Sequence, residues 1–180
     1  MCVFTRPEFQ HALAISDLIE SFKQHKGICM ITGETTSGII ADEWALLRLS
    51  WLYARAMDRN EPATLESIFV EDAMLEGEWF KVEGLAEIKQ LPAGLHERYV
   101  RMMHTVHNQT VEIQGDTAEG ETYCVAHHIL DGAARGGPTV FDMGIRYHSR
   151  WRCCEGRWRF TYRHVTLDWS EIRAARRTLS

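Results

Sequence analysis

The feature that most constrains this chain is a change of hydrophobic period part-way along it. After Pro92 the apolar residues alternate, and four segments read as long strands: Val100–Gln114, Thr117–Leu130, Thr139–Cys153 and Arg157–Thr166. They are separated by Gly115-Asp116, a Gly-rich loop and Glu155-Gly156, short connections that make consecutive strands pair antiparallel.

Ahead of the strands the spacing is helical. Between Ile39 and Asp58 the residues Leu47, Trp51 and Ala54 recur on one stripe, with Asp42 and Glu43 near the positive end of the helix dipole. Asn60 and Pro62 stop this helix and start a short second one, which buries Leu65, Ile68 and Phe69. A short strand over Ala73–Phe80 and a third helical stretch from Gly84 to about Gln90 complete the order ααβαββββ. Helices first and strands last predict an α+β domain in which a curved antiparallel sheet wraps three helices and encloses a pocket.

The 180 residues suit one such domain, placed at 39–170. Residues 1–38 read as an N-terminal extension, with a helix over 7–26 (Phe9, Leu13, Leu18, Ile19, Phe22) and a linker at Thr32–Gly38; residues 171–180 read as a tail. A net charge of -5 without a Lys/Arg run excludes a nucleic-acid partner. No stretch has the roughly 18 apolar residues of a membrane helix, and Glu8 and His11 interrupt any signal sequence, so the expected location is cytoplasmic with no membrane contact. Cys2, Cys29, Cys124, Cys153 and Cys154 show no CxxC spacing and read as reduced thiols. No phosphate loop, dinucleotide fingerprint, nucleophile elbow or zinc cluster is present, so neither cofactor nor metal is implied.

Four segments could support chemistry. Asp58 ends the stripe Leu47, Trp51, Ala54, so desolvation and the helix dipole should raise its pKa toward that of a general base; a solvent-facing carboxylate paired with Arg59 is the plain alternative. Tyr53 lies about 140° around the helix from Asp58. In MHTVHNQTVEI, His104 and His107 fall on opposite faces of a strand and cannot chelate one metal. In YCVAHHIL, one of His127 and His128 faces the pocket, and a two-residue turn at Gly115-Asp116 sets His127 beside His104. In GRWRFTYRHVTLDW, Arg163 is either a buried cation or a rim residue paired with Asp168. Trp44, Trp51, Trp79 and Trp158 read as core.

The element order over about residues 40–170 resembles the NTF2-like, SnoaL-like superfamily. That superfamily includes scytalone dehydratase, bile-acid 7α-dehydratase, hexachlorocyclohexane dehydrochlorinase, ketosteroid isomerase and many non-enzymes. Tyr-x-x-x-x-Asp at Tyr53–Asp58 resembles the bile-acid enzyme, where both residues belong to the active site, and Asp58 resembles the dehydrochlorinase's base. His104-x-x-x-Asn108 resembles that enzyme's catalytic histidine segment, which singles out His104 over His107. Counting from Gly120, resemblance to scytalone dehydratase favours His128, and Gly-x-Trp-x-Phe aligns Arg163 with a substrate-site arginine of the dehydrochlorinase.

The resemblance implies a cofactor-independent lyase in which Asp58 and His104 form an acid-base pair and Tyr53, His127 or His128, and Arg163 bind an apolar, aromatic or polycyclic substrate. Either Asp58 orients His104 or it is itself the base. An isomerase, a carbon-carbon lyase on an aromatic dimer and a non-catalytic binding module are the alternatives. It also implies a homodimer or homotrimer.

Overall fold

The structure is a computed structural model that describes residues 33–131 and 137–175. The chain separates into two units, Met1–Thr36 and Ser37–Ser180, and the second carries the sheet. The expected helix over 7–26, Cys2 and Cys29 lie outside the described residues.

Among the described residues, four helical segments precede or interrupt six strands: α1 (Gly33–Arg59), α2 (Pro62–Ile68), β1 (Phe69–Gly77), β2 (Phe80–Glu83), α3 (Leu85–Ile88), α4 (Leu91–Arg98), β3 (Arg101–Gln114), β4 (Thr117–Leu130), β5 (Thr139–Cys154) and β6 (Arg157–Ala174). The strands form one sheet in the order β2-β1-β6-β5-β4-β3. Every pairing is antiparallel except β1 with β6, which is parallel. The expected third helix is α3, within Gly84–Gln90, and Pro92 opens a further helix, α4, that was not expected. The predicted linker at Thr32–Gly38 is helical from Gly33, and β6 runs past Thr166 to Ala174, taking in part of the predicted tail.

The buried face of α1 is Leu46, Leu49, Ser50, Tyr53, Ala56 and Met57, at spacings of three and four, packed into a core with Phe69, Tyr147, Trp151 and Phe160. The predicted stripe is only the edge of that face: Ala54 is buried, Leu47 is half-buried, and Trp51 is 42 % exposed. Trp44 and Trp79 are exposed as well, so among the four tryptophans expected inside only Trp158 is core. Its indole donates to Asp42 Oδ1 at 2.8 Å and ties β6 to α1. Asn60, in the left-handed region at φ 53°, ends α1, and Pro62 starts α2 immediately after it.

Two details of β3 and β4 set the geometry of the interior. Between Val106 and Gln109 the register slips by one residue, a bulge at His107–Asn108. The slip lets Gln109 Oε1 accept hydrogen bonds from two otherwise buried hydroxyls, Ser50 Oγ at 2.9 Å and Thr122 Oγ1 at 2.8 Å. Nearby, Gly120 lies so close to β3 that a Cβ there would stand 2.2 Å from the Thr110 carbonyl oxygen. Among the described residues no helix is long and apolar enough to cross a membrane.

Candidate active site

Asp58, in the last turn of α1, reaches edge strand β3. Its Oδ1 lies 2.7 Å from His104 Nδ1, and its Oδ2 accepts the His104 backbone N–H at 3.0 Å. The two contacts fix both carboxylate and ring and use Nδ1 as the donor, which leaves Nε2 as the ring's acceptor. Both residues line an open cleft of about 300 Å³ whose other walls include Trp51, Ala54 and Val106.

The carboxylate departs from one expectation. Burial does push the Asp58 carboxyl up, but the hydrogen bonds from the His104 ring and backbone, with the charges of His104 and His128, outweigh it and hold its pKa below the ordinary value. An ionised Asp58 is a poor proton acceptor and a good orienting anion.

The bulge decides between the two adjacent histidines. Beyond the two-residue turn Gln114 pairs with Thr117, and an unbroken register would bring His104 opposite His127; the slip at His107–Asn108 brings it opposite Ala126 instead. His128 is therefore the inward neighbour, 2 % exposed, its ring centroid 5.5 Å from that of His104. Burial, then the charge of His104, pulls the His128 imidazole down to about 4, so it is neutral at physiological pH, and its Nδ1 has no hydrogen-bond partner. His127 lies on the opposite face, 2.5 Å from Asp142 Oδ1, which corrects the expectation that the simple turn count raised. His107 is exposed, as its odd spacing from His104 requires.

Tyr99 follows α4 and covers His128, with ring centroids 4.4 Å apart. α4 is held there by His96, whose Nε2 lies 3.1 Å from the Met57 carbonyl oxygen near the end of α1. Sequence reasoning did not single out Tyr99; its position between a helix and the first long strand was the available signal.

Arg163 forms a separate cluster. It is 0 % exposed, and its guanidinium lies 3.9 Å from the ring centroid of Tyr147, 4.5 Å from that of Tyr53 and 4.8 Å from that of Phe160. Nη1 donates to Ser149 Oγ at 3.2 Å, whereas Nε and Nη2 have no partner. The rim alternative is overturned, because Asp168 pairs with Arg146 through two contacts of 2.7 Å. Desolvation pushes Tyr53 up to about 12, Cys124 up to about 11 and Tyr147 well above its usual value, so none of these neighbours is an anion at neutral pH. Burial lowers the Arg163 pKa without providing a counter-charge. Tyr53 thus belongs to the arginine cage and makes no hydrogen bond to Asp58. Among the described residues no three His, Cys, Asp or Glu side chains are gathered to hold a metal ion.

The profile of the SnoaL-like domain matches residues 39–164. The chain belongs to the SnoaL-like family. This SnoaL-like domain is similar in fold to a scytalone dehydratase-like protein from Novosphingobium aromaticivorans, at 19% identity and a TM-score of 0.67, covering 78% of this chain and 93% of that one. It is similar to the hexachlorocyclohexane dehydrochlorinase LinA-type3 from Novosphingobium barchaimii, at 18% identity and a TM-score of 0.68, covering 78% and 96%. A protein of unknown function from Nostoc punctiforme, described as having a cystatin-like fold, matches at 18% identity and a TM-score of 0.60, covering 71% and 92%. No curated protein sequence matches. The SnoaL-like domain therefore has the NTF2-like cone, and its relatives by fold include both lyases and proteins of unknown function.

Proposed function

We propose that this SnoaL-like chain is a cofactor-independent lyase, dehydratase-like, that uses Asp58 and His104 on an apolar aromatic or polycyclic small molecule. The observation that carries the reading is the two-point contact of Asp58 with His104, which orients the ring and leaves Nε2 to take a proton. Asp58 orients and stabilises the imidazolium; His104 is the base. The carbon-bound proton passes to His104 Nε2, its electron pair forms the new double bond, and the carbon–oxygen bond breaks. The imidazolium returns the proton to the departing hydroxyl, so the products are an alkene and water.

Arg163, a buried cation without a counter-charge, is suited to negative charge that develops on a substrate oxygen, in elimination and in isomerisation alike. Neutral His128, with its unpartnered Nδ1, is suited to hold a substrate oxygen. The domain is further proposed to be a cytoplasmic homodimer or homotrimer, which light scattering at micromolar concentration tests: a monomer refutes it. Incubation with a panel of ring-bearing alcohols and ketones in heavy water, followed by mass spectrometry, tests the chemistry. Loss of the mass of one water is expected. Deuterium gain at constant formula would instead establish isomerisation, and no conversion of any class would leave the binding-module alternative standing.

A further inference from the structure

Directly paired residues of a sheet share a face, and the register here sets two rows side by side across β3, β4, β5 and β6. One row is His104, Ala126, Met143, Ser170; the next is Met102, His128, Phe141, Ile172. Exposure climbs along the second row from His128 outward. Met102 and His128 are buried, Phe141 is half-buried, and Ile172 is 54 % exposed. The rings of His128 and Phe141 have centroids 6.3 Å apart, so the apolar part of the row begins where the polar part ends.

Ile172 stands on a strand end that contributes nothing to the core, since every residue of Asp168–Ala174 is exposed. That end is nevertheless pinned from the opposite face of the sheet. Arg173 Nε donates to Asp142 Oδ2 at 2.6 Å, Asp142 Oδ1 holds His127, and Trp169 lies so close on Gly144 that a Cβ there would meet its Nε1 at 2.0 Å. The strand end thus holds an isoleucine toward solvent, in register with a buried histidine whose Nδ1 lacks a partner.

We infer that Phe141 and Ile172 form an apolar subsite continuous with His128, and that the substrate is elongated, with its reacting carbon at His104 and a second ring or chain lying along this row. The inference rests on the reading of Asp58 and His104 given above. Phenol and 4-phenylphenol, which share a polar head and differ by one ring, are the probes. Calorimetric titration of the intact protein gives their affinities, and the histidine ring resonances report where they bind. Both probes should shift the His104 and His128 signals, and 4-phenylphenol should bind about tenfold more tightly than phenol. Ile172→Ala should cut that ratio at least threefold, as should Phe141→Ala; because Ile172 is exposed, its variant folds normally and keeps the test sound. A ratio unchanged in both variants overturns the subsite and leaves the acid-base pair untouched. Absence of any His104 or His128 shift overturns both. If Ile172→Ala instead dissociates an oligomer while the ratio persists, the row is an interface between copies and the subsite is wrong.

Discussion

Acid should destabilise this domain through His128 well above the pH at which its carboxylates protonate. The ring is 2 % exposed, with His104 at 5.5 Å and Tyr99 at 4.4 Å, and burial, followed by the charge of His104, lowers its pKa from 6.5 to about 4. Between those two values the unfolded chain binds the His128 proton and the folded chain does not, so stability falls as pH falls. The stabilisation of the neutral ring is complete above the unfolded value and is lost on approach to the folded one. At about 1.4 kcal/mol per pH unit, a drop from 6.5 to about 4 corresponds to about 3 kcal/mol. Asp58, whose pKa is lowered, works in the same direction but only at still lower pH, when its carboxylate protonates. His128→Phe fills the same slot without titrating. Urea titrations at intervals from about pH 7 to about pH 4 should show the native protein losing about 3 kcal/mol more than this variant. Equal pH dependence in the two proteins, or an NMR titration that places the His128 ring near its ordinary value, would refute the argument.

Arg163→Met should leave stability within about 2 kcal/mol, because the lost stacking and the Ser149 hydrogen bond are offset by removing a buried charge with two unpaired donors; turnover should fall at least about a hundredfold, and chemical denaturation beside a rate assay separates the two. Gly120→Ala should cost about 1–3 kcal/mol in a thermal melt, since its Cβ would meet the backbone of Thr110 and Val111, and a neutral result would show that the sheet can relax there. Prolonged chelator treatment should change neither melting temperature nor turnover; stoichiometric zinc found by metal analysis would sink the cofactor-free reading.

The cone was legible because alternation from Val100 onward and the helical spacing before it are the direct imprint of a sheet with one buried face wrapped on helices. The adjacency of Asp58 and His104 was legible only through resemblance, and the Asp58 pKa is lowered where the α1 stripe implied that it would rise. That stripe was placed one position off the true face, and the backbone N–H of His104, invisible in sequence, supplies a second hydrogen bond to the carboxylate. His127 against His128 could not be decided from a turn count, because a bulge that satisfies Ser50 and Thr122 through Gln109 shifts the register at His107–Asn108. The polar pair His107–Asn108 within an alternating run was its only trace. The end of β6 left no alternating hydrophobic pattern, since Trp169 and Ile172 are three apart and the segment is exposed on both faces, held by Arg173, Asp142 and Trp169. Arg163 could not be decided between buried cation and rim residue, because its burial depends on rings from β5, β6 and α1 that meet only in the folded chain.

The central claim is that Asp58 and His104 act as one acid-base unit, and a double-mutant cycle on turnover tests it most directly. With a compound converted in the mass-spectrometric panel, Asp58→Asn and His104→Ala should each lower turnover by about a hundredfold to ten-thousandfold. The double variant should lose little more, because removing either member already disables the pair. His107→Ala, at an exposed position beyond the pair, should stay within about a factor of ten. Multiplicative losses in the double variant would make the two residues independent, and full activity in His104→Ala with loss in His107→Ala would contradict the account outright.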